Sequence, residues 1–326
     1  MKWFDDIWKE KAQHYVHGYV GQPGPPTSPG ESYLTIDVAA IWIPYVRKGL
    51  TKFYGAVHGT VDVPSETGDI AKFQLFDVLA DAKEMDASHL DRIIQGPFRL
   101  LDAVPYRGGG VNLRVGLFSV KGAELTLPYL SLLKNMSATA GIAFISQAMP
   151  FVELIRNGVS MIAGGDQLEI GRSGLFDPIQ VGTYAIVRAT GEEVPLKGLR
   201  FAENTRELSS NGKKLEAQPY MVLRIQTSTD RPYFYSIPEV KSAFRQMKEQ
   251  FQRTPTDFAA NNRAFDAFEV NTRLSPDLLA QHATNLVAEV RKRYESFLVE
   301  GRRSGGEQIR ESQRDGNLEN FDPFGT

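Results

Sequence analysis

The side chains of this sequence that could do chemistry are few and widely spaced. The histidines are His14, His17, His58, His89 and His282. His14 and His17 stand three apart and could share a helix face. A zinc site needs three or four ligands at such spacings, and no third one completes the pair. His58 alternates with Thr60 and Asp62 along a strand-like run. A catalytic triad is defined by geometry rather than by that spacing. Arg107-Gly108-Gly109-Gly110 separates two strand-like runs. A phosphate cradle leads from a strand into a helix, so the triplet reads as a hairpin turn that needs positive φ. Gly164-Gly165-Asp166 continues with Gln167 and Leu168 and completes no known signature; it reads as a helix stop. Asp77, Asp81, Glu84, Asp86 and Asp91 crowd one connection at spacings that miss the EF-hand pattern, and a solvated acidic loop is expected. With no cysteine in the chain, thiol catalysis, disulfides and cysteine-based metal sites are excluded. No catalytic residue, metal or cofactor is assigned, and the chain is expected not to be an enzyme.

The most distinctive constellation is apolar. Trp3, Phe4, Ile7 and Trp8 fall on one side of a helical wheel over residues 3–16, with Asp5, Asp6, Lys9 and Glu10 opposite. These four are the candidate partner-binding residues, because amphipathic helices dock through such faces. The run Gly21-Gln22-Pro23-Gly24-Pro25-Pro26-Thr27-Ser28-Pro29-Gly30 follows. Its prolines and glycines suit neither helix nor ladder, so residues 21–32 read as a linker that frees an N-terminal helix at 1–20.

Period-two alternation begins at Tyr33. Leu34, Ile36 and Val38 alternate with Thr35, Asp37 and Ala39 before the pattern blurs at Ile41-Trp42-Ile43, as at a bulge or in a strand buried on both faces. Further short strands separated by Gly/Pro turns predict an antiparallel β-sandwich over 33–237. Its spaced strands and acidic connection resemble, over the strand-rich part, a C2-type domain. Residues 125–165 break the pattern. Only Lys134, Glu153 and Arg156 are charged there, and apolar residues recur at helical spacing, which predicts an inserted helical segment. After Pro238 the pattern is helical to 303. Val240, Phe244, Met247 and Phe251 mark one face, and Ser275-Pro276-Asp277 reads as a helix start. Residues 304–326 are polar and are expected to be a disordered tail.

The 37 basic and 39 acidic side chains give a net charge of −2, so no nucleic-acid partner is expected. The first residues lack the apolar stretch of ~7–15 residues of a secretory leader, and a cytoplasmic location is expected. The sequence therefore predicts a non-enzymatic interaction or assembly component with a protein partner or a second copy of itself. One rival is a membrane-active protein that exposes 125–165, whose small residues Ser137 to Gly141 would permit close helix packing in lipid. A second is a hydrolase whose site carries no recognisable motif.

Overall fold

The computed structural model describes residues 15–44, 47–48, 51–65, 70–78, 93–95, 98–121, 168–231, 234–254 and 257–303. The chain divides into two compact units, one ending at Thr229 and one beginning at Asp230. The architecture is mixed: antiparallel sheets in the first unit and three helices in the second.

The strands are β1 (Tyr15–Tyr19), β2 (Tyr33–Ile43), β3 (Arg47–Lys48), β4 (Thr51–Pro64), β5 (Ile70–Val78), β6 (Ile93–Gln95) and β7 (Phe98–Pro105). Then come β8 (Val111–Lys121), β9 (Leu168–Phe176), β10 (Gly182–Arg188), β11 (Leu199–Ala202), β12 (Glu207–Ser210), β13 (Lys213–Lys214) and β14 (Tyr220–Ser228). Sheet A runs β1-β10-β14-β2, and β6 and β7 both pair with β2. Sheet B runs β3-β4-β8-β9, with β5 also on β4, and sheet C runs β11-β12-β13.

Strand β2 explains the layering. Its residues Leu34, Ile36, Val38, Ile41 and Ile43 join one core with Ile186, Leu223 and Ile225 of sheet A and with Val57, Val61, Phe73, Leu113 and Val115 of sheet B. Its opposite face supplies Ala39, Ala40 and Trp42 to a second core with Val194, Leu199, Leu208 and Leu215. The blur read in the sequence has both of its predicted causes. The register with β14 shifts between Val222 and Leu223, opposite Ala40 and Val38, and the strand is buried on both faces. Trp42 stacks on Tyr220 at 5.9 Å and donates its Nε1–H to the Glu216 carbonyl at 3.2 Å. The Tyr220 hydroxyl accepts from the Leu208 amide at 3.1 Å, which ties sheet C to sheet A. Burial pushes that phenol up to about 12.

Several expectations need correction. The expected N-terminal helix does not extend through 15–19, which form β1 and pair antiparallel with β10 from Tyr15↔Arg188 to Tyr19↔Tyr184. Residues 3–14 lie outside the described residues. The proline/glycine run is not a free linker. The Gly24 amide donates to Val181 O at 2.8 Å, Thr27 N–H to Ile179 O at 2.9 Å and Gly30 N–H to Tyr106 O at 2.7 Å. Prolines favour extended backbone, and an extended segment can border a sheet without completing a ladder. The glycine triplet does turn with positive φ, +97° at Gly108 and +77° at Gly109. It joins β7 of sheet A to β8 of sheet B, so it is an arch between sheets and not a hairpin. The strand expected from Tyr233 to Ile237 is instead a 3-10 turn at Phe234–Ser236. The inserted segment 125–165 and the tail 304–326 lie outside the described residues.

The second unit contains α1 (Pro238–Arg253), α2 (Phe258–Arg273) and α3 (Ala280–Arg303). Pro238 opens α1, where its missing N–H costs no hydrogen bond, and Asp257 caps α2 by accepting from the Ala260 amide at 3.0 Å. The predicted α1 face Val240, Phe244, Met247 and Phe251 is buried. Tyr294 of α3 stacks between Phe251 at 4.8 Å and Phe265 at 5.1 Å. Helix α3 starts after the predicted point, because Ser275-Pro276-Asp277 belongs to the turn that precedes it.

Gly59 of β4 faces Leu100 of β7 so closely that an added Cβ would collide with the leucine Cδ2. Gly59→Ala should therefore lower stability by about 1–3 kcal/mol. Gly191→Ala, with no neighbour within 4 Å of its added Cβ, should stay within about 0.5 kcal/mol of the parent. Paired urea denaturation curves check the difference.

Candidate functional site

Among the described residues, the polar face of sheet A brings together Asp37, Arg99, Asp102, Arg224 and Glu203. Asp37 is the one acid in the apolar run of β2, and its alternate position turns it away from the core of Leu34, Ile36 and Val38. Antiparallel register sets Arg224 of β14 on one side of it and Arg99 of β7 on the other. Arg99 Nε lies 2.6 Å from Asp37 Oδ1, and the same guanidinium also pairs with Asp102. Arg224 pairs with Glu203. The Asp102–Ala103 bulge that aims β7 is held in a left-handed backbone at Ala103, φ +48°. Its amide donates to Thr35 Oγ1 at 3.2 Å. A positive φ at a residue other than glycine costs energy and persists only where the surroundings fix it.

Asp37 is 5% exposed, whereas Arg99 and Asp102 reach solvent. Burial raises the Asp37 carboxyl above the usual carboxylate range, and Arg99 and then Arg224 offset that rise only in part. A carboxyl of this kind can hold or release a proton, and two flanking guanidinium groups can hold an anion. Here each guanidinium already has a carboxylate partner, so the cluster is a closed ion-pair network joining β14, β2 and β7.

A second cluster lies at the aromatic corner of sheet A. His17 Nδ1 is 2.8 Å from the Tyr184 hydroxyl, and Tyr19 donates to the Gln180 carbonyl at 3.1 Å. Tyr19 and Phe176 both meet Tyr184 edge-on, at 5.2 and 5.1 Å. Burial raises the Tyr19 phenol, and the three rings at Tyr19, Phe176 and Tyr184 pack edge to face at this corner.

The third cluster is internal to the helical unit. Arg231 and Asp277 have side chains 3% and 0% exposed, with Nη1 to Oδ1 at 3.6 Å. Arg231 also donates to the Asp277 carbonyl at 2.8 Å. The Asp277 amide donates to Ser275 Oγ at 3.3 Å, and Ser275 donates to Glu239 of α1 at 2.9 Å. The predicted helix-start residues therefore tie the α2–α3 turn to the start of the unit. His282 lies 3.7 Å from Asp230 and edge-on to Phe234; burial lowers its pKa, with Asp230 opposing that shift.

The predicted partner-binding residues Trp3, Phe4, Ile7 and Trp8 lie outside the described residues, as do His14, His89 and the acids Asp81 to Asp91. His58 sits in β4 opposite Phe76 and Gly116. Among the described residues no group of three or more metal-ligating side chains converges. Asp37 was detectable as a lone acid in a buried strand. Its partners, and the pairing of Arg231 with Asp277, had no local signal because they are distant in sequence. No family model, curated protein or solved structure matches the chain.

Two outcomes test these assignments. Because the folded Asp37 carboxyl titrates above its unfolded value, its ionisation opposes folding. That penalty is absent below the unfolded value of about 3.9 and grows as pH rises through the folded one. Asp37→Asn should therefore melt at or above the parent at pH 7 and lose that advantage below about pH 4; a pH-independent difference contradicts the assignment. Arg231→Met should cost about 3–5 kcal/mol by removing the guanidinium that faces a buried carboxylate. Adding Asp277→Leu should restore at least half of the loss in the same denaturation assay.

Proposed function

We propose that this chain is a non-enzymatic interaction or assembly component that docks a protein partner, or a second copy of itself, through its N-terminal aromatic segment and its β-rich body. The observation that carries the reading is where that segment joins the fold. Trp3, Phe4, Ile7 and Trp8 precede β1 directly, and among the described residues β1 pairs with β10 alone, at an edge of sheet A. An apolar segment leading into an edge strand combines two recurrent means of chain association, helix-in-groove docking and strand addition. The ion-pair networks of Asp37 and Arg231 support the same reading, since their charges are engaged in holding strands and helices together.

The body is read as a β-sandwich, supported by the single core that sheets A and B share. Its C2 likeness rests on the spaced strands and the acidic connection of the strand-rich part. A cytoplasmic setting belongs to the same proposal. Among the described residues no helix is long and apolar enough to cross a membrane. The membrane-active and hydrolase readings are tested by vesicle flotation and by a broad substrate panel.

The deciding experiment is the double variant Trp3→Ala, Trp8→Ala, followed by light scattering after size exclusion and by partner capture. The expected result is an unchanged melting temperature with loss of association, because truncating interface aromatics often costs about 2 kcal/mol or more. A lowered melting temperature would show that the aromatic face packs on its own body and would defeat the docking proposal.

A further inference from the structure

The segment from Gly21 to Gly30 is fastened by its amides and leaves prolines outward. Proline fixes its own φ and holds the preceding residue in extended backbone. In Gln22-Pro23-Gly24-Pro25-Pro26-Thr27-Ser28-Pro29 those two effects reach every residue except Thr27. Gly21 and Gly30, at φ +78° and +75°, turn the chain at the two ends. The amides of Gly24, Thr27 and Gly30 recur at every third residue, and all three donate to the body of the first unit. Gln180 Nε2 adds a bond to the Gly24 carbonyl at 3.2 Å. Three residues is also the period of a polyproline II turn. Between the anchored amides, Pro25, Pro26, Ser28 and Pro29 are exposed. Pro29 is steadied on one side by the glycine arch, since a Cβ added at Gly108 would stand 3.2 Å from its Cγ. Pro26 and Pro29 stand three apart, so an extended chain of that period projects both from one side. Burial does not account for these exposed rings, and no charged side chain lies between Gly18 and Gly30.

We propose that Pro25 to Pro29 form a presented ligand for the aromatic-lined groove of a partner protein. Segments of the PxxP type are recognised in this mode because their extended backbone is already ordered, so little chain entropy is lost on docking. Here the order has two sources, the prolines themselves and the amides held by Val181, Ile179 and Tyr106. Holding a ligand in its bound conformation raises affinity by lowering the cost of ordering it. An uncharged segment offers rings and backbone carbonyls rather than ion pairs. That selects an aromatic groove over a nucleic acid or an anionic membrane, both of which are bound largely through basic side chains. The proposal does not rest on docking through Trp3 and Trp8.

The probe is a panel of purified SH3 and WW domains, each fluorescently labelled and titrated with the full chain while anisotropy is read. Saturable binding of at least one domain is the expected result. The double variant Pro26→Ala, Pro29→Ala should weaken that binding at least about tenfold, as truncating central contacts does, at an unchanged melting temperature. The variant Trp3→Ala, Trp8→Ala should bind as the parent does, which separates this proposal from the N-terminal one. A synthetic peptide of residues 20–32 should bind no more tightly than the full chain. Failure of every domain to bind would overturn the proposal, as would binding that survives the proline substitutions. So would loss of binding in the tryptophan variant, or a peptide that binds more tightly than the full chain. If the double variant melts lower than the parent, the same two substitutions in the peptide decide, and equal binding of the two peptides overturns the proposal.

Discussion

The first unit depends on one strand being buried twice. Strand β2 presents Leu34, Ile36 and Val38 to the core shared with sheet B and Ala39, Ala40 and Trp42 to the core under sheet C. A strand with two apolar faces cannot stand at an edge or against water, so both covering layers follow from it. The bulge at Ala39 lets the change of pattern occur within one strand, since slipping a strand by one residue exchanges its faces. The small residues Ala39 and Ala40 permit close approach on the side where Trp42 and Tyr220 supply the bulk.

The polar features are arranged around that constraint. Asp37 is the only charge that β2 carries, and it lies on the outer face near the limit of the second core. Placing a carboxyl there requires compensation, which comes from strands on both sides of β2 and from a bulged backbone at Ala103. The helical unit solves a similar problem with Arg231 and Asp277. The buried Arg231–Asp277 pair contributes little net stability beside a well-packed apolar alternative, but one partner without the other is costly. Both clusters consequently fix geometry more than they add free energy.

What was legible in the sequence was local. The alternation of Leu34, Ile36 and Val38 and the four-three-four spacing of Val240, Phe244, Met247 and Phe251 report the periods of strand and helix directly. The pairings of Asp37 and Arg231 were not legible because their partners come from distant strands and turns. Two local signals were outweighed by tertiary contacts. Proline and glycine at 21–30 have the composition of a linker, yet Val181, Ile179 and Tyr106 supply acceptors for its amides. Ser275-Pro276-Asp277 has capping chemistry, yet its serine binds Glu239 and its aspartate meets Arg231. The candidate site read from Trp3, Phe4, Ile7 and Trp8 rests on helical periodicity alone, because those residues lie outside the described ones.

The central claim is that β2, covered on both faces, organises the first unit and that the proline/glycine segment is fastened to the same layers. Native-state hydrogen exchange measured residue by residue tests it most directly. The amides of Ile36, Val38 and Ile41 should exchange only through global unfolding of the unit, and those of Gly24, Thr27 and Gly30 should be clearly protected. Exchange of the β2 amides by local opening, or of the Gly24, Thr27 and Gly30 amides at the rate of an unstructured chain, would contradict the account.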